Sequence, residues 1–191
     1  MLGILTGVPV ELKELINNIR KQALSDGIKA YLVGGCVRDL ILGVKNLDLD
    51  IVIEGDGIRF AQEFIPAQVG KITVHKRFGT ATLLFNSGFK VDFSSARKEF
   101  YPKPAHLPVV SPGLLEDDLY RRDFTINAMA ISLDNGKIVD YFGGLEDLKD
   151  KKIRILHDLS FSDDPTRILR GIRFEQRLGF SFEHKTRILL K

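Results

Sequence analysis

Two aspartates separated by one residue, Asp48 and Asp50, open an apolar stretch of the chain. Alternation along a strand places both carboxylates on one face, about 6 to 7 Å apart, with Leu49 on the other face. Such charges are tolerated together when a divalent cation lies between them, and oxygen-only ligands favour Mg²⁺. Asp92, in the later segment KVDFSSAR, can complete the set from a neighbouring strand. The alternatives are solvated surface aspartates, with Asp92 on an edge strand.

A glycine pair, Gly34-Gly35, precedes a predicted short helix that carries Arg38. Paired glycines let a phosphate approach the backbone, and a helix N-terminus offers free N–H groups and partial positive charge. Arg38 can add a forked donor to the same phosphate. Alone, the motif also fits an ordinary strand-to-helix turn. Followed in this order by the three aspartates, it predicts a two-metal site for nucleotidyl transfer.

Composition restricts the class of protein. The chain has 191 residues, 44% hydrophobic and 28% charged, which is typical of one soluble domain with an appendage. No apolar run approaches the roughly 20 residues that cross a bilayer, and no signal peptide precedes the first helix. Cys36 is the single cysteine and the four histidines are scattered, so neither a disulfide nor a zinc site is expected. We expect a cytoplasmic protein without a membrane partner.

The basic charge is concentrated at one end of the chain. Residues 151–191 carry ten lysines and arginines against five acidic residues, although the net charge of the whole chain is only +3. This asymmetry favours a polyanionic partner such as nucleic acid, with a solvated helix surface as the alternative.

The apolar pattern predicts a mixed α/β sheet. Helices are expected at 11–24, 36–42, 58–64 and 124–130 and from 164 onward, strands at 28–33, 49–53, 71–75, 80–85, 89–93, 130–133 and 137–141, and a proline-rich loop at 101–112. The sequence ends at Lys191 inside a predicted helix without a termination signal, so we expect the chain to be part of a longer protein.

Four segments in this order carry a resemblance to a known family: VGGCVRDLILGVKNLDLDIVIEG, RRDFTINAMA, DYFGGLEDLKDKKIRI and DDPTRILRGIRF. Over residues 31–180 the chain resembles the class II tRNA nucleotidyltransferase and bacterial poly(A) polymerase family. The resemblance implies a polymerase-beta-like nucleotidyltransferase head followed by the first helices of an all-α neck. It divides the chain into an N-terminal helix (1–27), the head (28–155) and the start of a truncated neck (156–191).

The resemblance also implies roles for the motif residues. Gly34, Gly35 and Arg38 would hold the triphosphate, and Asp48 and Asp50 would bind the metal. In the RRDFT motif Arg122 would touch the nucleotide, Asp123 would lie near its ribose, and Asn127 would support the pocket. For Asn127 an internal structural hydrogen bond is an equal alternative.

In the last motif an aspartate and an arginine would read the edge of the incoming base, and these positions are Asp164 and Arg167. Carboxylate acceptors and guanidinium donors together match the edges of cytosine or adenine. Asp164 followed by Pro165 is also a common helix start. Helical spacing places four arginines on one face, and the resemblance assigns the middle two to the nucleotide site: Arg167, Arg170, Arg173 and Arg177. Ile168, Leu169 and Ile172 are predicted to face the core.

The form DDPTR at residues 163–167 resembles A-adding and related split-activity enzymes, as does the segment VDFSSARKEFY. The resemblance therefore implies Mg²⁺-dependent addition of A to the 3′ end of tRNA from ATP, with CTP and stepwise C and A addition left open. The alternatives are a poly(A) polymerase, a catalytically silent RNA-binding module, and a small-molecule nucleotidyltransferase.

Overall fold

The computed structural model describes residues 8–44, 48–66 and 69–190. The helices in this part are α1 (Val10–Ser25), α2 (Gly35–Ile41), α3 (Gly57–Glu63), α4 (Leu115–Tyr120), α5 (Gly144–Lys149), α6 (Ser160–Asp163), α7 (Thr166–Leu178) and α8 (His184–Ile188). The strands are β1 (Ala30–Val33), β2 (Asp48–Ile53), β3 (Val69–His75), β4 (Thr80–Phe85), β5 (Lys90–Ser95), β6 (Arg97–Phe100), β7 (Val109–Pro112), β8 (Met129–Ser132), β9 (Ile138–Asp140), β10 (Lys152–Ile153) and β11 (Ser181–Phe182). The predicted mixed α/β fold is confirmed.

Seven strands form the main sheet in the order β3-β4-β5-β2-β1-β8-β9. Neighbours are antiparallel except β2 and β5, which run parallel at the centre. In this parallel pair Asp50 lies directly opposite Asp92. Asp92 is therefore on an inner strand, and the edge-strand alternative is excluded.

The two faces of the sheet have different partners. Leu49, Ile51 and Ile53 of β2 belong to the large apolar cluster that also contains the buried residues of α1, α2 and α3. Val52 faces the other way, into a smaller cluster with Leu119 of α4. The alternation that buries Leu49 leaves Asp48 and Asp50 on the second face, as predicted.

The N-terminal helix forms where its apolar spacing predicts. Leu12, Leu15, Ile16 and Ile19 are buried on one stripe. The helix ends at Ser25, and Gly27 follows with a φ of 65°, a backbone conformation that glycine adopts without steric cost.

Three predicted segments differ from the structure. The chain from residue 164 onward was expected to be helical, yet α7 ends at Leu178, Gly179 follows with a φ of 66°, and Ser181–Phe182 is a strand paired in parallel with Lys152–Ile153. Residues 101–112 were expected to form a loop, yet Val109–Pro112 is a strand paired antiparallel with Arg97–Phe100. Pro112 is compatible with this pairing because it closes the strand at the edge of a two-stranded ribbon. Residues 124–130 were expected to be helical, but only Thr125–Asn127 forms a 3₁₀ turn and Met129 begins β8. The pairing of β8 with β1 overrides the local helical pattern.

Helix α7 packs on a different stripe from the predicted one. Its buried residues are Arg167, Gly171 and Phe174, whereas Leu169 is 71% exposed and Ile172 is 45% exposed. A Cβ on Gly171 would lie 2.6 Å from the ring of Phe182. The prediction that Leu169 and Ile172 face the core is therefore wrong, because α7 meets the core through a glycine and its i+3 neighbour Phe174.

In the described part of the chain no helix is both long and apolar enough to cross a membrane.

Candidate active site

A cleft of about 1110 Å³ extends from the carboxylate-bearing face of β2 and β5 to helix α7. Twelve of the thirteen predicted site residues line it: Gly35, Arg38, Asp48, Asp50, Asp92, Arg122, Asp123, Asn127, Asp164, Arg167, Arg170 and Arg173. The sequence motifs, which are spread over more than 130 residues, thus meet in one place.

The carboxylates occupy the floor of this cleft. Asp50 and Asp92 face each other across the parallel pair, and Asp48 lies one pleat away on the same face. Burial raises the pKa of Asp50, and the negative charges of Asp92 and Asp48 raise it further, against the opposing effects of Arg122 and Lys90. Concentrated negative charge of this kind is stabilised by a cation.

Lys90 on β5 lies opposite Asp48 on β2 and supplies one positive charge to the floor of the cleft. Its Nζ lies 2.7 Å from Oδ2 of Asp92, and this hydrogen bond raises the pKa of the ammonium group. Oδ1 of Asp92 accepts a hydrogen bond from the Thr82 hydroxyl. Both oxygens of Asp92 therefore have protein partners in this conformation.

The donor set suits Mg²⁺, since Asp48, Asp50 and Asp92 offer carboxylate oxygens toward one cleft. Across residues 8–44, 48–66 and 69–190, no three acidic, histidine or cysteine side chains are already gathered into a metal-binding group. Metal binding by all three would require Asp92 to exchange its contact with Lys90 for the ion. The three-carboxylate site stays a prediction.

The remaining predicted residue, Gly34, shapes the cleft without lining it. It precedes α2 with a φ of 73°. A Cβ at this position would lie 2.5 Å from Nη1 of Arg122 and 3.8 Å from Oδ2 of Asp50. The first glycine of the pair thus creates the space in which the Arg122 guanidinium lies beside the carboxylates.

A buried ion-pair cluster fixes Arg122. Asp118 is fully buried and accepts from Arg122 Nη2 at 2.9 Å and from Arg121 Nε and Nη2 at 2.9 and 2.7 Å. Burial alone would raise the pKa of Asp118, but the charges of Arg122 and Arg121 outweigh it and lower the pKa. The Arg122 Nε atom is buried without a hydrogen-bond partner among the described residues.

The same cluster extends to the β6–β7 ribbon. Glu99 accepts from both Arg97 and Arg121 and also from the Tyr101 hydroxyl at 3.0 Å. Burial and the negative charge of Glu99 raise the pKa of Tyr101 to about 12, which keeps the hydroxyl protonated as a donor. Sequence patterns do not single out Glu99, Tyr101, Asp118, Arg121 and Lys90, because acidic residues beside lysines and arginines at helical or strand spacing are typical of solvated surfaces.

Arg38 is more deeply held than predicted. Its guanidinium is 3% exposed, pairs with Asp39 at 2.7 Å, and donates to the side-chain oxygen of Asn127. It also lies 5.0 Å from the ring centroid of Phe174 on α7. Asn127 therefore makes the internal hydrogen bonds that were its structural alternative, and Arg38 lines the cleft while held by these contacts.

Asp123 continues this network toward α7. Its Oδ1 accepts from Asn127 Nδ2 and from the Phe124 amide, both at 2.8 Å, and its Oδ2 accepts from Arg170. The side chain is 7% exposed. Asp123 thus connects the head to the basic face of α7.

Asp164 and Arg167 lie together at the start of α7, with Oδ2 and Nε 3.8 Å apart. Asp164 Oδ1 accepts from the Thr166 amide and hydroxyl, so the helix-start role that competed with base reading is present. Arg167 is buried and donates to Ser160 Oγ and to the Arg121 carbonyl. The pair is therefore fixed in orientation, and both residues still line the cleft.

A mixed sheet with facing aspartates on its central parallel pair, a glycine turn beside them and a basic helix above them defines a polymerase-beta-like nucleotidyltransferase head. The chain belongs to the Poly A polymerase head domain family, which it matches over residues 30–154. The match covers nearly all of the predicted head, 28–155, while the boundaries themselves stay predictions.

Two relatives illustrate the likeness in sequence. The chain is 51% identical over 168 residues to an A-adding tRNA nucleotidyltransferase of Geobacter sulfurreducens, covering 86% of this chain and 19% of that protein. It is 40% identical over 166 residues to a CC-adding tRNA nucleotidyltransferase of Deinococcus radiodurans, covering 85% of this chain and 44% of that protein. The chain thus spans less than half the length of either relative.

Solved structures agree with this placement. A CCA-adding enzyme in its apo form II superimposes with a TM-score of 0.90 at 47% identity, covering 98% of this chain and 45% of the other. A tRNA nucleotidyltransferase complexed with a primer tRNA and an incoming ATP analogue gives a TM-score of 0.78 at 44% identity, covering 90% and 46%.

Proposed function

We propose that the protein containing this chain adds adenosine to the 3′ end of tRNA, using ATP, without a nucleic-acid template and with release of pyrophosphate. The observation that carries the proposal is the single cleft in which three carboxylates lie on the floor and a fixed Asp164–Arg167 pair lies on the wall. A nucleotidyltransferase for small molecules needs the floor but has no use for the base-reading wall.

In this mechanism the chain's own residues bind and orient the nucleotide. The N-terminus of α2 at Gly35 and the guanidinium of Arg122 hold the triphosphate beside the carboxylates, where their positive charge stabilises the leaving pyrophosphate. Arg170 and Arg173 extend the positive wall along α7. The 3′ hydroxyl of the RNA attacks the α-phosphate, and the bond to the pyrophosphate breaks.

Mg²⁺ would be held by Asp48 and Asp50, with Asp92 as a third ligand once it leaves Lys90. When bound in such sites, the ion supplies charge neutralisation and lowers the pKa of an attacking hydroxyl. Burial, together with the nearby charges of Asp92 and Asp48, raises the pKa of Asp50, and a cation bound there would stabilise its charged form against both effects.

Base selection is assigned to Asp164 and Arg167. Adenine presents a donor and an acceptor on its Watson–Crick edge, so a carboxylate and a guanidinium side by side can match it. Because Ser160 and the Arg121 carbonyl already fix the Arg167 side chain, ordering this side chain when the base binds costs less free energy. The relatives named A-adding and CC-adding support tRNA as the primer, with A favoured over C by the higher identity. A cytoplasmic location remains a prediction from the sequence.

The proposal is tested with the full-length protein, labelled ATP and labelled CTP offered separately, and tRNAs that end before CCA, after C and after CC. Addition of A only to the CC-ended tRNA is the expected result. Stepwise addition of C, C and A would identify a CCA-adding enzyme instead. Incorporation into unstructured RNA but not into tRNA would favour a poly(A) polymerase, and no incorporation would favour a silent RNA-binding module.

Variants connect the activity to the floor of the cleft. Asp48→Asn and Asp50→Asn are expected to abolish Mg²⁺-dependent incorporation while the circular dichroism spectrum stays unchanged. Asp134→Asn, in the exposed β8–β9 turn, is the matched control and is expected to keep full activity. Undiminished incorporation by the doubly substituted Asp48/Asp50 protein would overturn the assignment.

A further inference from the structure

The carboxylate floor is bordered by different strands on its two sides. Gly34 and Gly35 follow β1, which borders β2 on one side, whereas β4 borders β5 on the other. Thr82 of β4 lies opposite Asp92, two strands from Asp50 and so about 10 Å from it. The triphosphate residues gather on the β1 side, which leaves the β4 side of the floor unassigned.

On the β4 side the cleft is lined by the turn that joins β3 to β4. Arg77 and Phe78 lie in this 3₁₀ turn, Lys76–Phe78, and both line the cleft together with Thr80. The Phe78 side chain is 47% exposed, and the Arg77 guanidinium lies 5.7 Å from its ring centroid. A large aromatic face beside a cation, open to the cleft, lies on the side that the nucleotide does not use.

The segment that contains β5 and β6 holds the backbone of this turn in place. Arg97 donates through Nη1 to the Phe78 carbonyl at 2.7 Å and pairs with Glu99 through its other nitrogens. The following residue, Gly79, has a φ of 62°, and its carbonyl accepts from the Ser95 amide at 3.1 Å. The side chains of Arg77 and Phe78 thus project from a backbone that the β5–β6 segment fixes.

We propose that Arg77 and Phe78 form the platform for the 3′-terminal nucleotide of the RNA primer, with the base stacked on Phe78 and the adjoining phosphate paired with Arg77. Displacement at the α-phosphate requires the attacking and leaving oxygens to lie on opposite sides of the phosphorus. With the pyrophosphate on the β1 side, the 3′ hydroxyl must arrive from the β4 side. The assignment rests on the proposed RNA nucleotidyl transfer.

The chemistry of the platform matches single-stranded RNA. Bases stack on aromatic side chains regardless of sequence, and removal of such a ring weakens binding by about 5- to 150-fold per base. An exposed arginine beside the ring pairs with the phosphate and makes affinity salt-dependent. The platform therefore accepts any primer end, while base choice remains with Asp164 and Arg167.

The test uses the full-length protein and a tRNA acceptor minihelix ending in CC, with and without 2-aminopurine at its terminal position. Phe78→Ala is expected to weaken minihelix binding at least 5-fold, to reduce the quenching of 2-aminopurine fluorescence, and to raise KM for the minihelix. ATP binding without RNA should be unchanged. Phe78→Tyr, which keeps the ring, should restore all three signals. Phe100→Ala is the matched control, because Phe100 is 68% exposed on β6 and lies outside the cleft lining.

Arg77→Ala is expected to lower the slope of log affinity against log salt by about 0.7, the value for one phosphate contact in single strands. Arg59→Ala, an exposed arginine on α3, should leave the slope unchanged.

Unchanged minihelix binding and 2-aminopurine quenching in Phe78→Ala, or an equal loss of ATP affinity, would overturn the platform. Failure of the proposed function gives a different result, since the unmodified protein would then incorporate no nucleotide into any tRNA. The binding and fluorescence measurements still decide the platform in that case.

Discussion

Arg170 of helix α7 and Asp123 of the head are joined through a single carboxylate oxygen, which accepts a hydrogen bond from Nε at 2.8 Å and forms an ion pair with Nη2 at 2.7 Å. The other oxygen of Asp123 is held by Asn127 and by the Phe124 amide. Arg177 approaches Asp39 at 3.4 Å two turns further along the same helix. The basic face of α7 is thus tied to the head through Arg170 and Arg177, on either side of Phe174, in addition to the hydrogen bond from Arg167 to the Arg121 carbonyl.

Asp123→Asn is expected to loosen α7, because the new amide must share its one oxygen among donors that the carboxylate satisfied with two. We expect the free energy of unfolding to fall by about 1–3 kcal/mol and KM for ATP to rise about tenfold. Chemical denaturation measures the free energy of unfolding, and amide hydrogen exchange within α7 measures the loosening of the helix.

Arg187→Ala provides the comparison, since it breaks an exposed pair with Glu175 at 3.8 Å. Its effect on stability should stay below about 1 kcal/mol. Equal amide protection of α7 in the Asp123→Asn and unmodified proteins would contradict the structural role given to this contact.

Asp118→Ala is expected to be among the most destabilising single substitutions in the head. The residue is fully buried and neutralises two arginines, and removal of one partner from a buried ion pair costs about 3–5 kcal/mol. Glu116→Ala, in the first turn of the same helix but exposed, should change stability by less than about 0.5 kcal/mol. Urea denaturation of both variants checks the contrast, and a similar small effect for both would be incompatible with the buried cluster.

Gly34→Ala separates a steric effect from backbone strain. Both Gly34 and Gly43 have a positive φ, 73° and 69°, so alanine at either costs about 1–3 kcal/mol. At Gly34 the new methyl group meets Arg122 Nη1 at 2.5 Å, whereas at Gly43 no atom of the residues that the structure describes lies within 4 Å. We expect Gly34→Ala to lose at least tenfold in kcat/KM for ATP and Gly43→Ala to keep its activity. Comparable kinetics in the two variants would remove Arg122 from the nucleotide site.

His157 gives the folded state a dependence on pH. Burial lowers its pKa from the usual 6.5, the charge of Arg167 lowers it further, and Asp163 and Asp158 oppose both. The unfolded chain therefore binds a proton more readily, so stability rises with pH up to about 6.5 and is lost as pH falls below that value.

His157→Phe keeps a ring beside Tyr120, whose centroid lies 5.2 Å away, and removes the titration. Its free energy of unfolding, measured between pH 5 and 8, should depend less on pH than that of the unmodified protein. His75→Gln, on the exposed edge of β3, should retain the original dependence. A His157→Phe profile parallel to that of the unmodified protein would assign the dependence to other groups.

The sequence predicted the local order of the carboxylate floor because period-two alternation determines which face Asp48 and Asp50 share. It did not predict the pairing of β2 with β5, since that depends on a connection of more than 35 residues rather than on local pattern. Asp92 was predicted as a third metal ligand because it is a carboxylate on a later strand, and the structure brings it opposite Asp50.

In helix α7 the apolar pattern did not predict which side chains are buried. Arginines are ordinarily solvated and leucines buried, yet Arg167 is 4% exposed and Leu169 lies on the surface. Arg167 is buried because Ser160 and the Arg121 carbonyl satisfy its donors, and neither partner is visible from helical spacing. Asp118 and Glu99 were missed for the same reason, because burial of a charge depends on partners supplied by other elements.

The packing at Gly171 limits how far helix α7 can move relative to the carboxylate floor. A Cβ on residue 171 would lie 2.6 Å from the ring of Phe182 and 3.0 Å from the ring of Phe124, so any larger residue at 171 would push α7 away from these two rings. We therefore expect substitutions at the cleft-facing positions of α7 to leave the distance between the helix and the carboxylate floor unchanged. Under the proposed function, a change of base preference should arise by exchange of cleft-facing side chains on α7, without movement of the helix.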